Sequence, residues 1–438
     1  MKTLILNAKI INEEQNFIGS VLIDGEYISD ILTSNQPLPA SDTIIDAANC
    51  ILFPGVIDTH VHFREPGLIH KADIESESRA AALGGVTTFF DMPNTTPQTT
   101  TIKAFENKLM LAAQKSCVNY SFFFGATNNN HQLFEQLNPK RYPGIKLFMG
   151  SSTGDMLVEE SKLNSIFAFT SKPIVAHCED TSIITRNAAR LKAQYGEDLG
   201  VEFHPMIRSE EACYASSKLA VELAKKHNST LHLAHISTEK ELCLLSGKGK
   251  ITGEAVIGHL WFDDRDYLKY GALIKCNPSI KTEKDKIALQ KALSNGKIHT
   301  VATDHAPHLI SEKQGGALKA ASGMPSIQFS LLAMLQLSEN KVLPITRIPT
   351  LMCHNPAMLF NVKNRGFIRK GYKADLVLVE KKTHKIDKSE VESKCKWSVF
   401  EGTTFSYAVK HTFCNGKQAV KNGVLTGEKQ GEEVEFEV

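Results

Sequence analysis

Residues 51–66, ILFPGVIDTHVHFREP, join an apolar run to two histidines and an arginine placed at every second position. Side chains at alternate positions of an extended strand point to the same face. We therefore expect His60, His62 and Arg64 to share one face, while the residues between them pack in the core. Two imidazoles on one face suggest a metal site, and the guanidinium suggests an anion beside it. A bare HxH pair also occurs on edge strands with solvated histidines. The residues on the other predicted strands must therefore decide whether this pair binds a metal.

Short β-rich runs alternate with helical runs along the middle of the chain. VTTFFDMPN precedes TIKAFENKLMLAAQ, and VNYSFFFGATN precedes NHQLFEQL. This alternation predicts an α/β fold with a parallel sheet, either a barrel or a doubly wound sheet. A barrel is favoured because no GxGxxG phosphate loop follows the first strand.

The two ends of the chain have a different pattern. Both contain short strands broken by Gly and Asn, and CNGK near the C-terminus is typical of a hairpin turn. We therefore predict a TIM-like (β/α)8 barrel over residues 53–360. A small β-sandwich module formed by both chain ends, residues 1–52 and 361–438, would stand beside it.

The bulk composition narrows the class of protein. A net charge of +2 over 438 residues gives no electrostatic case for binding nucleic acid or an anionic membrane, so the expected partner is a small molecule. No apolar run reaches membrane-spanning length, and charged residues interrupt the opening segment too early for a signal peptide. Nine scattered cysteines without a CxxC pair predict no disulfide framework, and therefore a reducing, cytoplasmic location.

Residues able to bind metals or substrates stand at the ends of five predicted barrel strands. Enzymes with this barrel build their active sites from the carboxyl ends of the strands. A lone histidine after an apolar strand is more often structural, but five strands ending this way predict a shared site. The residues are His60 and His62, Asp91 and Asn94, His177 and Glu179, His232 and His235, and Asp304, His305 and His308.

Four histidine nitrogens and a carboxylate oxygen suit zinc, and they exceed what one three-ligand catalytic site needs, which favours two metals. Lys146, inside the apolar GIKLFMG, is the unusual member of the set. A buried ammonium beside two dications would be disfavoured, whereas the neutral amine can add carbon dioxide to give an anionic carbamate bridge. A lysine whose ammonium reaches solvent is the alternative, and the residues alone do not separate the two.

Several stretches of sequence combine into one recognisable pattern: DTHVHFREPG (58–67), MPNT (92–95), GIKLFMG (144–150), AHCED (176–180), LAHIST (233–238), CNPSIKT (276–282) and ATDHAPHLISEK (302–313). Over nearly its full length the chain resembles dihydroorotases of the amidohydrolase superfamily. HxH with a late aspartate is general to that superfamily. HVHFREP together with DHAPH and a following lysine is much narrower and favours dihydroorotase.

The resemblance implies a zinc-dependent cyclic amidohydrolase with two Zn²⁺ per chain, bridged by N-carboxylated Lys146. The implied metal ligands are His60, His62, Lys146, His177, His235 and Asp304. Asp304 is also implied to move the proton. The implied substrate-binding residues are Arg64, Asn94, Asn277, His308 and the backbone near Gly323. Many bacterial relatives carry an aspartate as the bridge in place of lysine, so Asp155 stays the alternative bridging ligand.

The implied reaction is the reversible interconversion of (S)-dihydroorotate plus water and N-carbamoyl-L-aspartate in pyrimidine (UMP) biosynthesis, by attack of a zinc-bound hydroxide on the cyclic amide. Arg64 and His308 favour this substrate because hydantoins and dihydropyrimidines lack its carboxylate. The alternatives are a hydantoinase, dihydropyrimidinase or allantoinase, and a catalytically silent scaffold homologue. Homodimers are common in the family. Residues 309–324 are expected to be either a loop over the site or an inert connection.

Overall fold

Eight parallel strand positions in the middle of the chain form a ring. In the computed structural model, which describes residues 1–33, 36–150, 156–169 and 172–438, they fall into a three-stranded and a six-stranded sheet. A parallel bridge between Val61 and His305 joins the first strand to the end of the last. The strands are Val56–Val61, Val86–Asp91, Asn119–Phe122 with Phe124–Gly125, Ile145–Phe148, Ile174–His177, Leu231–Leu233, Ile251–Val256 and Thr300–Ala302.

Helices connect the barrel strands, and side-chain caps mark where several of them begin. The side chain of Asp73 accepts the backbone N–H of Ser76 at the start of the first helix, and Thr101 and Thr282 cap two later helices in the same way. The longer helices are Ile74–Leu83, Ile102–Lys115, Glu160–Phe169, Thr181–Tyr195, Glu210–His227, Glu283–Asn295 and Ser330–Glu339. The shorter ones are His204–Ile207, Ile257–Trp261, Tyr267–Tyr270, Gly316–Lys319, Arg347–Pro349 and Asn355–Leu359.

Both chain ends contribute to one nine-stranded sheet beside the barrel. The N-terminal strands are Lys2–Asn12, Gln15–Asp24, Tyr27–Thr33, Thr43–Asp46 and Cys50–Pro54. The C-terminal strands are Leu376–Lys385, Thr404–Cys414, Lys417–Lys421 and Val424–Leu425. Cys50–Pro54 pairs antiparallel with Leu376–Lys385, so the two ends of the chain meet there. The predicted fold class, a TIM-like barrel with a β-sandwich module, is confirmed, while the residue boundaries of the two modules stay a prediction.

The hairpin predicted at CNGK is confirmed. Thr404–Cys414 and Lys417–Lys421 pair antiparallel, and the two residues between them, Asn415 and Gly416, have φ angles of 51° and 76°. A two-residue turn with both φ angles positive matches the right-handed twist of the flanking strands, and Asn-Gly is the dipeptide that adopts it most readily.

Two local expectations differ from the structure. The first barrel strand ends at Val61, so strand alternation does not carry as far as Arg64, whose backbone is left-handed at φ 66°. NHQLFEQL forms a 3-10 helix, His131–Gln136, instead of a longer α-helical stretch. Across the described ranges, no helix is both long and apolar enough to span a membrane.

Candidate active site

Four of the predicted ligands converge at the carboxyl ends of the barrel strands. Nε2 of His62 lies 3.0 Å from Oδ1 of Asp304, and Nε2 of His60 lies 3.4 Å from the same oxygen. One ligand atom each from His60, His235 and Asp304 lies within 4.8 Å of the other two. His177 adjoins this group, because its Nδ1 is 2.9 Å from Nε2 of His235.

Lys146 lies in the same cavity, with its side chain completely buried. Its ammonium therefore does not reach solvent, which contradicts the alternative interpretation of the sequence. No described residue hydrogen-bonds to its Nζ atom, which lies 5.2 Å from the centre of the Phe148 ring. Burial lowers the pKa of Lys146 to about 8, so a neutral amine is accessible near physiological pH. Asp155, the alternative bridging residue, lies outside the described residues.

Partners behind the histidines fix which nitrogen of each ring faces the cavity. Oε1 of Glu254 lies 2.7 Å from Nδ1 of His60, and Oδ1 of Asn94 lies 2.7 Å from Nδ1 of His62. With their protons held on Nδ1, both rings direct Nε2 lone pairs at Asp304 and the cavity. Glu254 was not singled out in the sequence.

The donor set fits a divalent metal. Burial lowers the pKa of His62 to about 4 and lowers the pKa of His177 and His235 as well, so these rings are neutral and can donate lone pairs. Nδ1 of His235 and Nζ of Lys146 are buried without a hydrogen-bond partner among the described residues. A buried polar atom without a partner is costly unless something binds it, and nitrogen ligands with a carboxylate are what zinc takes.

Three of the predicted substrate-binding residues line the cluster cavity: Arg64, Asn277 and Gly323. Nε of Arg64 donates to the carbonyl of Pro307 at 3.1 Å, and its Nη2 lies 3.1 Å from Nε2 of His308. Oδ1 of Asn277 lies 3.2 Å from Nε2 of His204. The N–H and the carbonyl of Gly323 are both bonded inside the protein, so this glycine offers the cavity a surface with no free backbone donor.

Two larger grooves share lining residues with the metal cluster. The cavity itself has a volume of about 20 Å³, enough for one or two water-sized groups. A groove of about 1010 Å³ shares Arg64 with it, and a second of about 570 Å³ shares Asn277 and Ser322. Space for a small organic molecule therefore adjoins the cluster at these shared residues.

Comparisons with known proteins identify the family. The profile of the Amidohydrolase family matches residues 51–419. A dihydroorotase from Methanosphaera stadtmanae is 34% identical over 411 residues, covering 92% of this chain and 93% of the relative. An allantoinase from Bacillus velezensis is 30% identical over 401 residues, covering 89% and 87%. The structure of an L-hydantoinase (dihydropyrimidinase) from Arthrobacter aurescens superposes with a TM-score of 0.94 at 26% identity, covering 99% of both chains. The chain belongs to the amidohydrolase family.

This amidohydrolase is an enzyme that acts on cyclic amides, and the site described above is its candidate metal centre. Its backbone is strained at three site residues: Arg64, His235 and Asp304 have φ angles of 66°, 37° and 48°. Left-handed backbone is uncommon for residues with a Cβ, and it collects at active sites where surrounding contacts hold it.

Two histidines at the strand ends of the amidohydrolase lie outside the metal cluster. His232 is fully buried between the hydroxyls of Thr252 and Thr300, at 2.7 and 3.0 Å. Nε2 of His305 lies 2.7 Å from Oε2 of Glu77. The nitrogens of both rings are hydrogen-bonded to other groups of the protein. Both histidines therefore have the structural role that is usual for a single histidine after an apolar strand.

Proposed function

We propose that this amidohydrolase is a dihydroorotase that interconverts (S)-dihydroorotate plus water and N-carbamoyl-L-aspartate. What carries the proposal is a guanidinium buried beside the metal cluster. Arg64 is 3% exposed, and no carboxylate of the described residues lies within salt-bridge distance of it. A buried positive charge is costly without an anion, and the substrate's carboxylate would supply one.

His308 completes this anion-binding end of the site. Its Nε2 atom lies 3.1 Å from both Nη2 of Arg64 and the carbonyl of Ser322. Charge-assisted hydrogen bonds from a guanidinium to a carboxylate are among the strongest in proteins, and an imidazole N–H adds a second direction. A ring without a carboxylate, such as dihydrouracil or hydantoin, would leave both groups unused.

The cluster has the residues to hold two zinc ions. His60, His62 and Asp304 would hold one, His177 and His235 the other, and carboxylated Lys146 would join them. Bound there, zinc would polarise the amide carbonyl and make a water molecule acidic at neutral pH.

Asp304 would move the proton. Burial alone would raise its pKa, but His60, His62 and Lys146 hold the pKa of Asp304 well below its usual range. It is therefore a carboxylate at neutral pH and can accept a proton from the attacking water. In the hydrolytic direction it would then deliver that proton to the departing ring nitrogen, acting first as base and then as acid.

A neutral-ring amidohydrolase is the second candidate, and the L-hydantoinase and allantoinase relatives favour it. The test compares dihydroorotate with dihydrouracil, hydantoin and allantoin on one preparation whose zinc content is measured. We expect selective turnover of dihydroorotate with about two zinc ions per chain. Preferential turnover of a neutral ring would identify the second candidate instead, and no turnover by a fully metallated protein would favour a scaffold protein.

The variant Arg64→Met sharpens this test, because it removes the guanidinium but keeps an unbranched side chain. We expect KM for dihydroorotate to rise by about 10–100-fold, since a buried charge-assisted hydrogen bond is lost. Any residual turnover of dihydrouracil should be unchanged, because that ring has no carboxylate. Equal losses on both substrates would mean that Arg64 supports the fold of the site and does not bind a carboxylate.

A cytoplasmic location and a homodimeric assembly belong to the same proposal. Every cysteine of the chain is a free thiol, eight of them buried, as expected in a reducing compartment.

A further inference from the structure

The ring of His308 lies between two cationic side chains, one on each nitrogen. Nη2 of Arg64 is 3.1 Å from Nε2, and Nζ of Lys71 is 3.2 Å from Nδ1. Guanidinium and ammonium groups only donate hydrogen bonds. Burial, with Arg64 and Lys71 adding like charge, holds the pKa of His308 well below its usual range, so the ring is neutral and has one N–H.

Each ring nitrogen faces one cation, but among the described residues only Nε2 also faces an acceptor within hydrogen-bond distance, the carbonyl of Ser322. We therefore assign the proton to Nε2, and Nδ1 accepts from the ammonium of Lys71. Nε2–H then donates to the carbonyl of Ser322 at 3.1 Å. Arg64 and Nε2 are both donors in this arrangement, so Arg64 spends no hydrogen bond on His308 and keeps its Nη2 protons for an anion.

Glu312 makes the opposite arrangement accessible. Its Oε1 atom lies 2.7 Å from Nζ of Lys71, and its Oε2 atom lies 3.6 Å from Nδ1 of His308. Without Lys71, the proton of His308 could lie on Nδ1 and donate a hydrogen bond to the carboxylate of Glu312. Nε2 would then present a lone pair, which repels a carboxylate and accepts the Nη2 donor of Arg64.

We propose that Lys71 is a positioning residue that fixes His308 as the Nε2–H tautomer, so that Nε2–H donates to the carbonyl of Ser322 and Arg64 keeps its Nη2 donors for an anionic substrate. The proposal rests on the dihydroorotase function proposed above. Lys71 need not touch the substrate, because it acts through His308.

The direct test reads the tautomer by ¹⁵N–¹H correlation spectra of protein labelled at histidine, with the His308 signals assigned by their loss in His308→Asn. We expect the Nε2–H tautomer in the wild type and in Lys71→Arg, and a shift to Nδ1–H in Lys71→Met. Lys103→Met is the matched control, because Lys103 lines the same groove and makes no described contact with His308. An unchanged tautomer in Lys71→Met would overturn the proposal.

Kinetics provide the second readout on the same four proteins. We expect Lys71→Met to raise KM for dihydroorotate about tenfold with kcat within about threefold, because one charged hydrogen bond to the substrate is weakened equally in ground and transition states. Lys71→Arg should restore KM, and Lys103→Met should change it less than about twofold. Equal losses in Lys71→Met and Lys103→Met would mean general electrostatic attraction and overturn the positioning role. If the wild type does not turn over dihydroorotate, the proposed function fails, whereas the tautomer measurement still tests Lys71.

Discussion

The carboxylate of Glu254 controls how His60 is presented to the metal cluster. Its Oε1 atom is 2.7 Å from Nδ1 of His60 and accepts the backbone N–H of His235 at 3.1 Å. Burial alone would raise the pKa of Glu254, but His60 and His232 lower it, so the group is ionised. One buried carboxylate therefore orients the ring of His60, a predicted ligand of one zinc ion, and the backbone of His235, a predicted ligand of the other.

Replacing Glu254 with glutamine should weaken metal binding more than it weakens the fold. The amide keeps the shape but loses the charge that holds the proton on Nδ1 of His60, and we expect zinc affinity to fall about 10–100-fold. Competition with a chromophoric chelator measures this without an activity assay. Glu241→Gln is the control, because Glu241 is equally buried but bonds to Ser217 and Thr238. Equal zinc affinities in the wild type and Glu254→Gln would contradict the role of Glu254.

Individual ligands were easier to predict than the groups behind them. His60, His177 and Asp304 come at the ends of apolar runs, and a polar residue at such a place stands out in the sequence alone. Glu254 lies inside the strand ITGEAV, and its contact with His60 spans 194 residues. That contact depends on which strands adjoin in the closed ring, which local patterning does not specify.

At the scale of one element, residues 309–324 are anchored against the site at Lys313 and Gly323, while Ile310 and Leu318 stay exposed. Nζ of Lys313 donates to the carbonyls of Lys275, Ala321 and Gly323 at 3.0, 2.8 and 2.8 Å. Gly323 has a φ of 146°, and a Cβ there would lie 2.6 Å from the carbonyl oxygen of Ala306. This wall of the cavity is therefore fixed by one buried ammonium and by a position that only glycine fits.

The stabilising effect of Lys313 should depend on pH. Burial lowers its pKa from 10.5 to about 7. Between these values the folded chain binds fewer protons at Lys313 than the unfolded chain does, so the free energy of unfolding rises with pH. Lys313→Met loses this dependence as well as three hydrogen bonds. The advantage of the wild type over the variant should therefore grow by about 1–2 kcal/mol between pH 7 and pH 9.

Urea denaturation at the two pH values measures this difference. Lys382→Met, at an exposed position in the terminal sheet, serves as the control and should show the same difference from wild type at both. A difference between wild type and Lys313→Met that is the same at pH 7 and pH 9 would show that the buried ammonium keeps its proton throughout.

The strand that ends in the HxH motif shows where strand periodicity stops predicting side-chain direction. Alternation placed His60, His62 and Arg64 on one face, and all three do line the cavity. The strand, however, ends at Val61, and Arg64 reaches the cavity through left-handed backbone. A periodic pattern predicts direction only while the backbone stays extended, and a single positive φ redirects the chain.

At the scale of the whole molecule, the last residues of the chain pack against the barrel on the side away from the site. The backbone N–H of Phe436 donates to the carbonyl of Lys140, and Nζ of Lys172 lies 5.5 Å from the centre of the Phe436 ring. Both lysines precede barrel strands, so this contact lies at the amino ends of those strands. Val434 and Phe436 are each 1% exposed.

The alternation of strands and helices was enough to predict the barrel, and the short strands at both chain ends were enough to predict a module made from the two ends. It could not predict that the final residues return to the barrel, because VEFEV at residues 434–438 is too short for a periodic signal. Phe436 belongs to a buried cluster with the rings of Phe90, Phe123 and Phe360, which come from three separate parts of the chain. Only the closed ring brings these rings together.

Phe436→Ala should therefore destabilise the protein and leave the active site intact. The ring of Phe436 lies 5.6 Å from that of Phe90 in a fully buried cluster, and removing such a ring costs about 3–5 kcal/mol through lost burial and the cavity left behind. The site lies at the opposite ends of the strands, so zinc content and kcat/KM at 25 °C should stay within about twofold of wild type. Thermal unfolding measures the first effect and steady-state kinetics the second.

Val438→Ala, at a position 84% exposed, is the control and should change neither the stability nor the kinetics. A fall in kcat/KM of Phe436→Ala without a fall in Tm would mean that the C-terminal segment acts on the site and not on the stability of the barrel.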